Sequence, residues 1–163
     1  MQVSLAQGRK SARLNSGVRC GMKTIAIGTN ENEQVLVHVH GYGFEKAGNP
    51  YDDYLEVEVA ARIGGLSANY PGVMLAIELD RFATQIRELY DTLKGSISLK
   101  TLESHLDLEF SVDRTGHIQI SGELREDPHY INNLTFELTF DQTQFEGTVR
   151  SVEAARQAFP RRT

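Results

Sequence analysis

A chain of 163 residues is long enough for one domain with a sizeable core, and 40% hydrophobic with 24% charged residues is an ordinary globular balance. No apolar run approaches the roughly 18 residues that a helical bilayer crossing needs, which argues against a membrane span. The single cysteine, Cys20, excludes an intrachain disulfide and fits a reducing cytoplasm, and the net charge of −5 disfavours nucleic acid as a partner.

The opening segment, residues 1–21, carries Arg9, Lys10, Arg13 and Arg19, no acid and no apolar periodicity. It also lacks the continuous apolar segment of roughly 7–15 residues that a secretory signal needs. It is expected to be a disordered or non-native leader. From Met22 onward the chain keeps all 22 acids but 13 of its 17 bases, a net of −9. Such a body repels nucleic acid and anionic membranes and steers a basic partner toward itself.

Lys23 to Ile27 predicts a short strand, and Gln34 to His40 a second, with Val35, Val37 and Val39 on one face. Gly41 to Pro50 has loop composition. Tyr54 to Ile63 is the clearest strand: Leu55, Val57, Val59, Ala61 and Ile63 point one way, and Tyr54, Glu56, Glu58, Ala60 and Arg62 the other. After Gly64-Gly65 and a turn at Pro71-Gly72, Val73 to Leu79 reads as a further strand. Asp80 then suits an N-cap, because its side chain can accept free backbone N–H groups. Phe82, Ile86, Leu89 and Leu93 make one apolar stripe of a helix from about Arg81 to Lys94, stopped by Gly95. Leu106 to Val112 alternates, Asp113-Arg114-Thr115-Gly116 predicts a hairpin turn, and Ile118 to Leu124 returns, with Gly122 marking a bulge. Leu134 to Phe140 is the last strand. Asp141 caps a second helix whose Phe145, Val149, Val152 and Phe159 share a face. Pro160 ends that helix, and residues 161–163 read as a tail.

The residues display no internal repeat, and no linker divides residues 22–160. Alternating strands on short turns imply an antiparallel sheet. Two amphipathic helices must bury their stripes against its apolar face. The expected fold is therefore α+β, two-layered, with an antiparallel sheet and both helices on one face. The opposite face would then carry Glu56, Glu58, Asp107, Glu109, Glu123 and Glu137 against Arg62 and Arg125. This is either a solvated sheet face or a binding face for a basic partner. An exposed edge strand leaves the oligomeric state open.

Catalytic or metal chemistry has little to stand on. His38 and His40 share a strand face, and Glu45 follows at a spacing like the cupin pattern, so a metal-binding reading uses these three residues. The glycines that flank that pattern are absent, with Asn32 and Asp52 at those spacings. There is no Gly-x-Ser-x-Gly elbow, and Gly41-Tyr42-Gly43 lacks the third glycine of a dinucleotide loop. No tryptophan or basic–aromatic platform offers bases a surface to stack on. Neither a catalytic set nor a cofactor is expected.

Four passages carry a resemblance: GYGFEKAGNPYDDYLEVEV (residues 41–59), IELDRFATQIRELYDTLKG (77–95), LESHLDLEFSVDRTGHIQISGEL (102–124) and LTFELTFDQTQFEGTVRSVEAARQAFP (134–160). Taken together, Met22 to Pro160 resembles the WapI-like immunity proteins of bacterial toxin systems. The resemblance implies a cytoplasmic protein that binds the toxic C-terminal domain of a polymorphic toxin and blocks it; partners of that type include nucleases acting on RNA. It implies no shared catalytic residue. The acidic body agrees, because toxins that bind RNA tend to be basic. The alternatives are the metal-binding protein above and an adaptor with no toxin partner.

Overall fold

The computed structural model describes residues 21–127, 129 and 132–163, without the side chain of Thr29. The leader therefore lies outside the described residues, except for Gly21. From Lys23 onward the chain runs twice through the same plan, four antiparallel strands and then a helix. The first unit is β1 (Lys23–Asn30), β2 (Glu33–Tyr42), β3 (Tyr54–Ile63), β4 (Leu66–Leu75) and α1 (Ala76–Thr92). The second is β5 (Ser96–Lys100), β6 (Leu106–Val112), β7 (Ile118–Arg125), β8 (Asn133–Phe140) and α2 (Gln142–Ala158). Each unit forms its own four-stranded sheet, in the order β1-β2-β3-β4 and β5-β6-β7-β8. The α+β class holds, but the strands divide into two sheets, and the repeat is one of architecture that the residues themselves do not display.

Both sheets bury the face predicted by alternation. Val35, Val37 and Val39 of β2, Leu55, Val57 and Val59 of β3, and Leu106, Leu108 and Phe110 of β6 all lie in one continuous core with the helix stripes. Phe82 of α1, Phe110 of β6 and Phe145 of α2 meet there, with ring centroids 5.5 and 5.9 Å apart. Burying one such ring stabilises by about 1.5–3 kcal/mol. The helices also touch at their rims, where the Arg87 guanidinium forks onto Glu153 at 2.7 and 2.6 Å. α2 shields the free edge of β1, whose Ala26 N–H donates to Ser151 Oγ at 3.0 Å. Tyr70 of β4 is buried and donates its hydroxyl to the carbonyl of His105 at 2.6 Å, tying the edge of the first sheet to the second unit.

Local readings change around the β4–α1 junction. β4 extends back to Leu66 and includes Pro71 and Gly72, which pair with Glu58 and Val57, so there is no turn there. Pro71 is tolerated because β4 is an edge strand and that position needs no donor on its open side. α1 begins at Ala76, before the expected cap at Asp80. The Glu78 carboxylate accepts the Leu75 N–H at 2.9 Å, and the Asp53 carbonyl takes the Ala76 N–H at 2.8 Å. These two contacts satisfy orphan donors of the first turn, which leaves Asp80 inside the helix. β5, a five-residue strand with Leu99 buried, lies in a stretch to which the sequence pattern assigned no element.

Gly122 is not a bulge. The register of β7 runs unbroken from Ile118 to Leu124 against β6 and from Ile118 to Arg125 against β8. A side chain at this inward-facing position would collide with the ring of Phe136 on β8, so the glycine makes room for that ring. Gly122→Ala is expected to destabilise the domain by about 1–3 kcal/mol through overpacking, and Phe136→Leu in the same chain to recover part of the loss. A urea midpoint unchanged in the single variant contradicts this.

The predicted hairpin turn is present. Asp113 Oδ1 accepts from the Thr115 hydroxyl at 2.7 Å, the Thr115 N–H at 2.8 Å and the His117 N–H at 3.0 Å, and Gly116 has φ +86°. The Thr115 hydroxyl bond, followed by the backbone donors, holds the Asp113 carboxyl at about 2 against an ordinary 3.8. The folded-state value is depressed, so this contribution is full above 3.8 and fades as pH falls toward 2. Asp113→Asn is expected to flatten part of the acid limb of the stability curve between pH 4 and 2 (~2 pH units), measured as urea midpoints for both chains. Identical limbs refute the assignment.

Candidate partner-binding face

The outer face of the second sheet gathers four of the six predicted acids. Strand register arranges them in two rows that cross the sheet. One row is Lys100, Asp107, Glu123 and Thr135; the other is Ser98, Glu109, Ser121 and Glu137. All of these but Ser98 line a shallow groove of about 640 Å³.

The rows differ in their electrostatics. Asp107 and Glu123 face each other across β6 and β7, an arrangement that like charges disfavour. Each has its own cation. Lys100 Nζ lies 3.4 Å from Asp107, and Arg125 forks onto Glu123 at 3.0 and 2.7 Å. Asn133 adds a 2.7 Å bond to Glu123. The Arg125 fork first, and then Asn133, holds the Glu123 carboxyl below its ordinary value. In the second row, Glu109 and Glu137 flank Ser121, both exposed, with no side-chain hydrogen bond or ion pair among the described residues. A cation arriving from outside would find its partners in this row, because the other row is already neutralised.

Glu56 and Glu58 are elsewhere, on the outer face of β3 in the first sheet. Glu58 lies 3.9 Å from His40 Nε2. The candidate metal ligands do not converge: His38 Nδ1 pairs with Thr24 Oγ1 at 2.9 Å, His40 sits at the β-bulge between Val39 and Gly41, and Glu45 is exposed on the following loop. Among the described residues no group of three or more His, Cys, Asp or Glu is placed to hold a metal ion, and no helix is long and apolar enough to cross a membrane.

Within residues 161–163, Arg162 makes a set of bonds back to the first unit. The Arg162 N–H and Nε both donate to the Asp53 carboxylate at 2.7 Å, and Nη1 reaches the carbonyls of Phe44 and Glu45 at 3.1 and 3.0 Å. The guanidinium lies 3.7 Å from the Tyr42 ring centroid, and the Tyr42 hydroxyl donates to the Pro160 carbonyl at 2.5 Å. Asp53 is 1% exposed. The sequence carried one signal of this clamp: Asp53 has the inward parity of Leu55 and Val57, and an acid at a buried position needs a partner.

These features define an α+β domain of two antiparallel sheets and two helices, with a carboxylate-lined groove on one sheet. The model of the immunity protein WapI-like family matches residues 26–160, and the chain belongs to that family. No curated protein matches it. Among solved structures, the crystal structures of MRP1/MRP2 from Trypanosoma brucei are similar, with a TM-score of 0.43, 10% identity and 82% of each chain covered. A likeness of that size carries no argument about what this chain binds.

Proposed function

We propose that this protein neutralises a cognate polymorphic toxin in the cytoplasm by covering a basic surface of the toxin domain, and catalyses nothing itself. Membership of the immunity family supports the class of partner. The observation that carries the mode of binding is the row Glu109–Ser121–Glu137, two exposed carboxylates on rigid strands with a small residue between them. Lysine or arginine side chains of a basic toxin, one of the RNA-cleaving type included, would complete the charge pairs that the adjoining row makes internally. Oriented carboxylates on a rigid sheet also speed encounter with a cationic partner.

The test is co-expression with the cognate toxin domain, sought among the products of the adjacent genes. The proposal expects the two proteins to co-elute as a stable complex and the host to grow. Free toxin domain and arrested growth in the presence of folded protein overturn it.

A further inference from the structure

The first sheet carries a second feature that the groove does not absorb. Phe44 is 50% exposed, although it sits on a loop built to hold still. Residues 43–53 are fixed from both sides. Asn49 Oδ1 accepts the Tyr51 N–H at 2.8 Å, and Asn49 Nδ2 donates to Asp52 at 2.6 Å. The Arg162 clamp grips Asp53 and the carbonyls of Phe44 and Glu45. Phe44 packs edge-on against Tyr54, with centroids 5.3 Å apart, and the Tyr54 ring covers Gly43, where no side chain would fit. Tyr54 heads the outward row of β3, followed by Glu56 and Glu58. The result is a continuous strip, aromatic at one end and carboxylate at the other.

We infer that this strip, Phe44–Tyr54–Glu56–Glu58, is a second docking site, one that takes a polypeptide segment of the toxin carrying an apolar side chain beside a lysine or arginine. The inference rests on the immunity reading above. A fixed aromatic left half in solvent is the kind of residue that anchors protein interfaces, because little freedom remains to be lost on binding. The two glutamates select a cationic neighbour for that anchor and repel phosphate, which sets a protein segment above a nucleic acid or an anionic membrane.

The test is calorimetric titration of a catalytically inactivated cognate toxin domain into the full chain, with association rates from stopped flow. Phe44→Ala is expected to weaken binding at least tenfold with the melting temperature retained. Glu56→Lys, at an exposed position of β3, is expected to slow association several-fold and so covers the case in which Phe44→Ala disturbs the loop. Wild-type affinity and association rate in both variants overturn the inference while leaving the immunity reading intact. Absence of a complex with the wild-type chain overturns both. Phe44-dependent binding to phosphatidylcholine vesicles with unchanged toxin affinity also overturns it.

Discussion

Arg162→Ala is expected to cost about 3 kcal/mol of stability, the lower end of the range for breaking a buried ion pair, although it changes the second-to-last residue of the chain. The reason is what it leaves behind. Asp53 is 1% exposed and its carboxylate is matched by the Arg162 N–H and Nε. Without the guanidinium, a charge remains where water reaches it poorly, and two backbone carbonyls lose a donor as well. In a domain of this size the loss corresponds to a fall in melting temperature of roughly 6–12 °C. Asp53→Asn should cost less, because the amide keeps an oxygen that can accept from Arg162 and the Arg162 side chain, 23% exposed, is less buried than Asp53. Arg162→Lys should restore only part, since an ammonium cannot bridge the carboxylate and two carbonyls as a planar fork does. Thermal melts of the three variants give the ordering. A melting temperature for Arg162→Ala within about 2 °C of the parent (under ~1 kcal/mol) shows that the clamp carries no stability. The Arg87–Glu153 fork, similar in geometry, is a weak comparison: both side chains are about a third exposed, and such pairs contribute under ~1 kcal/mol.

Lysine at both Glu109 and Glu137 is expected to slow association with a basic toxin domain by about 10- to 100-fold at low salt, the range over which steering acts. Neither residue is engaged by another side chain among the described residues, so reversal removes no internal pair. Reversal at Glu123 would be less informative, because it would set a lysine against Arg125 and strand Asn133. The control is Glu31→Lys with Glu88→Lys, which makes the same change in net charge in the β1–β2 turn and on α1. Stopped-flow rates should fall in the first pair far more than in the second. The difference should shrink toward 1 M salt, where the Debye length is about 3 Å. Equal slowing in both pairs would mean that net charge alone steers the encounter and that the groove is not the docking face.

Much of this was legible in the residues. Alternation separated inward from outward positions on β2, β3, β6, β7 and β8, because in a strand one side chain in two must face the core. The Asp141 cap is observed, with its carboxylate accepting the Gln144 N–H at 2.8 Å. The Asp113 turn is observed too, because both are set by contacts within four residues. Readings that depended on distant partners were the ones revised. The start of α1 depends on a carbonyl of Asp53, more than twenty residues away, and Gly122 is explained by a ring on the next strand.

What the sequence by itself determined is the chemistry of each face: which positions are apolar, which are acidic, and where local turns close. Those follow from side-chain type and the period of the backbone, which need no knowledge of the rest of the chain. Only the tertiary structure decided which acids share a surface and which of them remain unmatched. Six carboxylates look alike along the chain, but strand pairing gives Asp107 a lysine from β5, whereas Glu123 takes Arg125 from two residues along its own strand; pairing also leaves Glu109 and Glu137 facing outward without either, and puts Glu56 and Glu58 on the other sheet. Charge is a property of a residue. Its neutralisation depends on distance, and distance between strands is set by the fold.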